Sequence, residues 1–216
     1  MQKFRFLFLF FLYAFTMKAQ YTHLGSWNIL NVKHDFKDKF TFFAEGQVRS
    51  LHFYDWFHYH ELKAGIIYHN RPDMHIGLGF GKYDTYSDGG DFVLPKRSDE
   101  FRIWPQLVFD QKLGKFKMET RYRMELRFSP SGFRERFRQR VQFSYPIHAK
   151  LNASFSNELF FSTCEPYFER NRAALNLNYK VSKMFSVMIG YLHQFDYKIN
   201  DETGRDFLQL GTYFSL

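Results

Sequence analysis

The sequence predicts an all-β fold: a transmembrane, antiparallel up-and-down β-barrel of about 10–12 strands. Three observations carry that expectation. The first is Phe116–Phe128, FKMETRYRMELRF, in which Phe116, Met118, Thr120, Tyr122, Met124, Leu126 and Phe128 alternate with Lys117, Glu119, Arg121, Arg123, Glu125 and Arg127. Successive strand side chains point to opposite faces, so this segment has one apolar face and one charged face. The second is that the same alternation recurs along the chain. The third is a high aromatic content of 21%, with 29 Phe and 14 Tyr. Aromatic residues favour strands and gather at the two membrane interfaces of barrels.

The chain opens with Lys3 and Arg5, then an apolar stretch from Phe6 to Phe15, then Thr16, Met17, Lys18, Ala19 and Gln20. A basic start, a short apolar run and a small residue describe a secretory signal peptide, expected over 1–19 with the cut after Ala19. The run is too short for a spanning helix, which needs about 20 apolar residues. Residues 20–216 then form one barrel domain. The chain has 30 Lys and Arg against 22 Asp and Glu, a formal charge of +8. Loss of Lys3, Arg5 and Lys18 leaves 27 against 22, or +5. Mean hydropathy is −0.43 and no later run is long and apolar, so a helical membrane protein is not expected. Alternation averages a barrel's hydropathy away, so a barrel remains compatible. Cys164 is the only cysteine, which rules out an intramolecular disulfide, and its setting between two expected strands reads as an incidental loop thiol.

Eleven strands are expected in order. The first, Ser26–His34, has the weakest pattern, because Trp27, Ile29, Asn31 and Lys33 mix polar and apolar residues on one face. In the second, Phe40–His52, the residues Phe40, Phe42, Ala44 and Val48 oppose Glu45, Gln47 and Arg49. The third is Phe57–Tyr68. The fourth, Met74–Tyr86, carries Gly77, Gly79 and Gly81 on one face, as room for arginines from neighbouring strands or as a bend. In the fifth, Asp99–Phe109, Phe101, Ile103, Leu107 and Phe109 oppose Glu100, Arg102, Gln106 and Asp110. Its Pro105 lacks a ladder donor and predicts an irregular or bulged strand. After Phe116–Phe128 comes Arg136–Tyr145, where Phe137, Val141, Phe143 and Tyr145 oppose Arg136, Arg138, Arg140, Gln142 and Ser144. Lys150–Phe161 follows. In Arg170–Val181, Ala173, Leu175, Leu177 and Tyr179 oppose Arg172, Asn176, Asn178 and Lys180. Met184–Tyr197 and Asp206–Leu216 complete the set, the last resembling the terminal strand by which bacterial barrels are recognised for assembly.

Short connections (Asp35–Lys39, His69–Asp73, Asp110–Lys115, Pro146–Ala149, Ser182–Lys183) alternate with longer ones (Phe53–Trp56, Ser87–Ser98, Ser129–Glu135, Ser162–Glu169, Lys198–Arg205). Short periplasmic turns and longer external loops are the habit of outer-membrane barrels, which have even strand counts in bacteria. With the C-terminus periplasmic, strands two to eleven make ten. Either the first stays outside the closed ladder or a twelfth has gone unrecognised.

Seven arginines lie within the twenty residues from Arg121 to Arg140: Arg121, Arg123, Arg127, Arg134, Arg136, Arg138 and Arg140. They are interleaved with Glu119, Glu125 and Glu135, while other strands supply Glu45, Arg49, Glu100, Arg102, Glu158 and Arg172. Alternation with apolar residues argues against nucleic-acid binding. Charges in a narrow lumen are costly unless paired, so these residues predict either a self-neutralising interior plug or an arginine-lined anion path. His58 and His60 share a face at a spacing compatible with two metal contacts, but nothing on that strand completes a site, and no metal or cofactor is expected. Ser154, Ser156, His148 and His193 are parts from which a lipid hydrolase could be assembled, although no local motif joins them.

At Glu100–Gln106 (EFRIWPQ), Arg121–Arg127 (RYRMELR), Arg136–Arg138 and Glu169–Arg172, the chain resembles the bacterial family known as domain of unknown function 2490; Trp27 and the Glu45…Arg49 spacing fit the same pattern. The resemblance implies an outer-membrane barrel of Gram-negative bacteria, often Bacteroidota, and carries over neither an activity nor catalytic residues. The function expected is therefore that of an outer-membrane integral barrel with an Arg/Glu-rich lumen, in a structural or porin-like, small-solute passage role and not as an enzyme. The alternative is an outer-membrane lipid-modifying hydrolase. The expected partners are outer-membrane lipid and, during insertion, the barrel-assembly machinery; the expected state is a monomer that binds no nucleic acid.

Overall fold

The computed structural model describes residues 24–93, 95–197 and 203–216; the leader expected over 1–19 lies outside them. The described residues form β1 (Leu24–Phe36), β2 (Phe40–His52), β3 (Asp55–Arg71), β4 (Met74–Tyr86), β5 (Lys96–Leu113), β6 (Phe116–Ser129), β7 (Gly132–His148), β8 (Leu151–Ser162), β9 (Phe168–Lys180), β10 (Phe185–Asp196) and β11 (Thr203–Ser215). Each pairs with its chain neighbours in antiparallel register, and β1 closes the barrel against β11.

That closure corrects the strand count. The barrel has eleven strands, neither ten nor twelve, and β1 is a full member of the ladder. An odd count makes the first and last strands run the same way, so they pair in parallel from Leu24↔Asp206 to Lys33↔Ser215. The mixed pattern of β1 has a physical cause. Trp27 points inward and meets Phe207 edge-on at 5.6 Å, in a small apolar cluster with Ala174 and Leu192. Without β1, the edges of both β2 and β11 would be left unpaired.

Inside and outside follow the alternation. On the outer face stand Phe42, Leu78, Phe101, Met124, Phe137, Phe155, Leu175, Ile189 and their like, all exposed. Aromatic pairs ring both ends. Phe40–Tyr68, Phe116–Tyr145 and Phe185–Phe214 sit near one rim, and Phe128–Phe133, Phe161–Phe168 and Phe168–Tyr197 near the other. The rim that holds the end of β11 is called the lower rim below. Its connections are short. At the upper rim, 87–95 and 163–167 are longer, but 53–54 and 130–131 are tight turns, because β3 and β7 extend further than the expected strands. The alternation of loop lengths thus holds only in part.

Two local expectations are also corrected, the first of them only in part, since the strand at Pro105 is irregular on one side but not bulged. Pro105 makes no bulge: β4–β5 runs without a shift through Leu78↔Pro105. On the β6 side the bridges lapse only between Ile103↔Leu126 and Gln106↔Arg123, and the register is the same beyond the gap. A residue in an antiparallel strand directs its donor to one neighbour, so the missing N–H costs bonds on one side alone. Nor do Gly77, Gly79 and Gly81 make room for arginines. A Cβ at Gly79 would lie 2.4–2.7 Å from the Trp104 indole, one at Gly77 2.8 Å from the Gln106 amide, and one at Gly81 2.7 Å from Lys63 Cβ. The bare backbone of β4 lets Trp104 lie flat against the inner wall, where it is wholly buried.

Candidate functional site: the charged lumen

Cross-strand register creates the problem that the lumen must solve. Arg102 lies opposite Arg127, Arg121 opposite Arg140, and Arg123 opposite Arg138. Like charges directly opposite each other destabilise a sheet, so each pair needs a carboxylate reaching in from a neighbouring position. Glu100 accepts two hydrogen bonds from Arg127, at 2.8 and 3.0 Å, and one from Arg102 Nε at 2.8 Å. Glu158 accepts from Arg121 Nη2 at 2.7 Å and from Arg138 Nη2 at 2.8 Å. Glu119 takes the guanidinium of Arg140.

Glu125 is the hub. It is 0% exposed. Its Oε2 accepts from Arg136 Nη2 at 2.5 Å and Nε at 2.9 Å, its Oε1 accepts from Arg138, and Arg102 and Arg123 approach to 3.8 and 3.9 Å. Phe160, also 0% exposed, provides the apolar counterpart, with the guanidinium carbons of Arg138 and Arg172 4.6 and 4.8 Å from its ring centre. Arg138 and Arg172 therefore have a π face against them as well as polar partners.

A second group lies across the barrel on β1–β3. Arg49 is held between Trp27 and Tyr59, 3.4 and 4.0 Å from the ring centres, and reaches Glu61 at 3.2 Å. Lys63 bridges Glu45 and Glu61 at 2.6 and 2.7 Å. Asn31 Nδ2 donates to Glu45 at 2.8 Å.

All fourteen expected lumen residues occupy inward positions of their strands, but they are not one uniform ion network. Arg172 has no carboxylate partner within 4.0 Å among the described residues; it donates to Gln194 Oε1 at 2.8 Å. Arg123, 3.9 Å from Glu125, has an amide oxygen as its close partner, Gln106 Oε1, at 2.7 and 3.1 Å. Sequence reasoning missed Glu61, Lys63, Glu169, Arg170 and Asp196 as members. Glu169 joins Arg127 and Arg136 at 3.3 and 3.2 Å, and Arg170 pairs with Asp196. Glu61, Lys63, Arg170 and Asp196 carried a signal, since each sits at the inward parity of its strand. Glu169, next to Arg170, has the opposite parity and turns inward only at the register shift between Phe160 and Phe161. The aromatic members Tyr59, Tyr83, Trp104 and Phe160 carried no such signal, because a ring at an inward position looks like a pattern error until arginines are seen stacked on it.

The ion-paired layer occupies the upper half of the lumen. Below it lies a cavity of about 440 Å³, walled by inward residues of the lower strand halves, among them Asn31, Glu45, Glu119, Arg121, Arg140 and Asn176.

The other candidates separate in space. A shift between Arg49 and Ser50 breaks the alternation of β3 at His58. His58 is therefore buried beside Tyr59, whereas His60 lies against Tyr86, Phe92 and Asp84. The two do not share a face. Among the described residues no group of three or more metal-ligating side chains forms. Ser154 points into the lumen, hydrogen-bonded by Asn178. His193 is on the outer face, its Nδ1 2.7 Å from Asp206, and His148 is exposed at the end of β7. The barrel wall stands between His193 and the serine. Cys164 is exposed in the loop before β9.

The fold and its interior thus define a closed β-barrel, apolar on the outside and charged within. The family model described as protein of unknown function (DUF2490) matches residues 24–205, and the chain belongs to that family. A comparison with curated proteins finds no match.

Proposed function

We propose that this protein is an integral outer-membrane barrel whose lumen is closed by its own ion pairs, a structural element of the membrane and not an open pore. The observation that carries this reading is the inverted polarity. Leucine, isoleucine and phenylalanine cover the outer face on strand after strand, while arginine and glutamate fill the interior. Water-soluble proteins rarely expose large contiguous apolar surface, and a closed barrel satisfies every backbone donor inside a bilayer. The aromatic pairs at both ends fit the interfacial girdles of such barrels. Outer-membrane lipid is then the chief partner, and insertion runs through the barrel-assembly machinery.

The layer around Glu125, Trp104 and Phe160, each 0% exposed, supports a plug over a passage. The hydrolase alternative has little support, because Ser154 and His193 stand on opposite sides of the wall. Two measurements test the proposal. The protein should stay in the membrane pellet through carbonate and salt washes, and release without detergent would overturn the membrane reading. Purified barrel in a planar bilayer should be electrically silent; steady unitary conductance would replace the plug with a small-solute channel.

A further inference from the structure

We infer that the lower-lumen cavity is a binding site for a small multivalent oxyanion, of phosphate or carboxylate chemistry. Three observations converge on it. The cavity is lined by five arginines and two lysines against three glutamates. Those glutamates are already committed: Glu158 to Arg121 and Arg138, Glu119 to Arg140, and Glu45 to Lys63. Glu125 and Glu61, outside the lining, also hold Arg138 and Lys63, so the guanidinium charge left without a close carboxylate is that of Arg123 and Arg172.

The second observation locates that charge. Arg123 and Arg172 both line the cavity, and each faces an uncharged amide where a carboxylate would fit. Gln106 is directly opposite Arg123 in the β5–β6 ladder, and Gln194 directly opposite Arg172 in the β9–β10 ladder. Glutamate is nearly the same size as glutamine. Two such positions in one lumen hold their arginines in place without cancelling them. A buried guanidinium with no carboxylate in hydrogen-bond contact is costly. Glu125 is 3.9 Å from Arg123, and Glu158, opposite Arg172, is taken by Arg121 and Arg138. An anion entering the cavity would supply the close counter-charge. The third observation is a free donor: Arg140 Nε, on the same wall, is buried without a hydrogen-bond partner.

Size limits the ligand. About 440 Å³ lies at the small end of the usual range for ligand pockets, about 300–1,000 Å³. Forked guanidinia favour planar or tetrahedral oxygens, which they can bind through two hydrogen bonds at once. Lys33, exposed on the lowest part of the cavity wall, places a further cation on the side of the lower rim. The inference rests on the plugged-lumen reading, since an open pore would carry anions through instead of holding them.

Trp27 lines the same cavity, with the Arg172 guanidinium carbon 5.0 Å from its ring, so indole fluorescence reports on occupancy. Detergent-purified full-length barrel is titrated with inorganic phosphate and with citrate at constant ionic strength, with glucose as control, and calorimetry checks stoichiometry. One saturable site is expected for at least one of the two anions and none for glucose; the stronger of the two identifies phosphate or carboxylate chemistry. Gln106→Glu puts a carboxylate directly on Arg123, whose nearest one is otherwise Glu125 at 3.9 Å, and should weaken binding about tenfold, a change of about 1.4 kcal/mol, without lowering the melting temperature. Arg172→Gln should weaken it similarly, while Lys183→Gln, on a lower-rim turn, should leave it unchanged. Absence of saturable binding to either anion at millimolar concentration overturns the site, as does equal affinity in Gln106→Glu and wild type. Membrane fractionation and bilayer conductance are read on the same preparation. A silent, membrane-bound barrel that ignores both anions loses only the site, whereas a conducting one loses the plug.

Discussion

The carboxylate of Glu125 is enclosed by the guanidinium of Arg136, with Oε2 2.5 Å from Nη2 and 2.9 Å from Nε and none of the glutamate exposed. Four cations converge on this one anion, so its removal leaves several buried charges uncompensated. Breaking a buried pair in this way costs about 3–5 kcal/mol. Glu125→Ala should therefore unfold at markedly lower temperature or denaturant than wild type, and Glu158→Ala should follow the same direction. Lys183→Ala, on an exposed turn, should behave as wild type. Equal midpoints for Glu125→Ala and Lys183→Ala, by heat-modified gel mobility or tryptophan fluorescence, would remove the ion-paired layer from any role in holding the barrel.

Gly79 and Trp104 make a second coupled pair. Any Cβ at position 79 would fall 2.4–2.7 Å from the indole, which is wholly buried and cannot retreat. Overpacking of this kind costs about 1–3 kcal/mol. Gly79→Ala should lose stability on that scale, and Gly79→Ala combined with Trp104→Leu should regain part of it, since residues in contact are not additive. Gly46→Ala, whose Cβ would meet only Leu62 Cδ2 at 3.4 Å on the outer face, should be nearly silent. Additive losses in the Gly79/Trp104 double variant would show that the contact is not what constrains position 79.

Much of this was legible in the chain because a strand writes its two environments into alternate letters. The segments from Phe116 to Phe128 and from Arg136 to Tyr145 declare an apolar face and a charged face without help from tertiary contacts. β1 could not be read so easily. Its inward face carries Trp27 and Ile29 because the lumen has apolar patches as well as ions, and its parallel pairing with β11 depends on the parity of a strand count. Which carboxylate serves which arginine was also invisible. That depends on register, and register is what sets Gln106 opposite Arg123 and leaves Glu125 to gather four cations. The bulge that sends His58 and His60 to different surroundings is likewise a property of two strands together.

Leu175 tests the environment of the outer face. It is 59% exposed near the middle of β9, opposite Phe155 on one neighbouring strand and Tyr191 on the other. If lipid covers this face, Leu175→Arg should cost about 2–4 kcal/mol near the bilayer midplane and reduce the amount of protein inserted. In water the same change would be close to neutral. Urea unfolding in lipid vesicles measures the difference, and an unchanged midpoint with full insertion would argue that position 175 does not face hydrocarbon.

The parallel seam between β1 and β11 is tested by cross-linking. Leu30 and Thr212 are directly paired there and share the outer face. Their Cα atoms should then fall within about 4.4–6.8 Å, the range a disulfide tolerates. In a Cys164→Ser background, Leu30→Cys with Thr212→Cys should oxidise readily to an intramolecular bridge, seen as a mobility shift that reductant reverses. Leu30→Cys with Phe214→Cys, shifted two residues along the same face, should do so poorly. A barrel that left β1 outside the ladder, or joined it in another register, would reverse that preference or bridge neither pair. Because an odd count makes the two terminal strands parallel, bridging at Leu30 and Thr212 would also fix the number of strands at an odd value in solution.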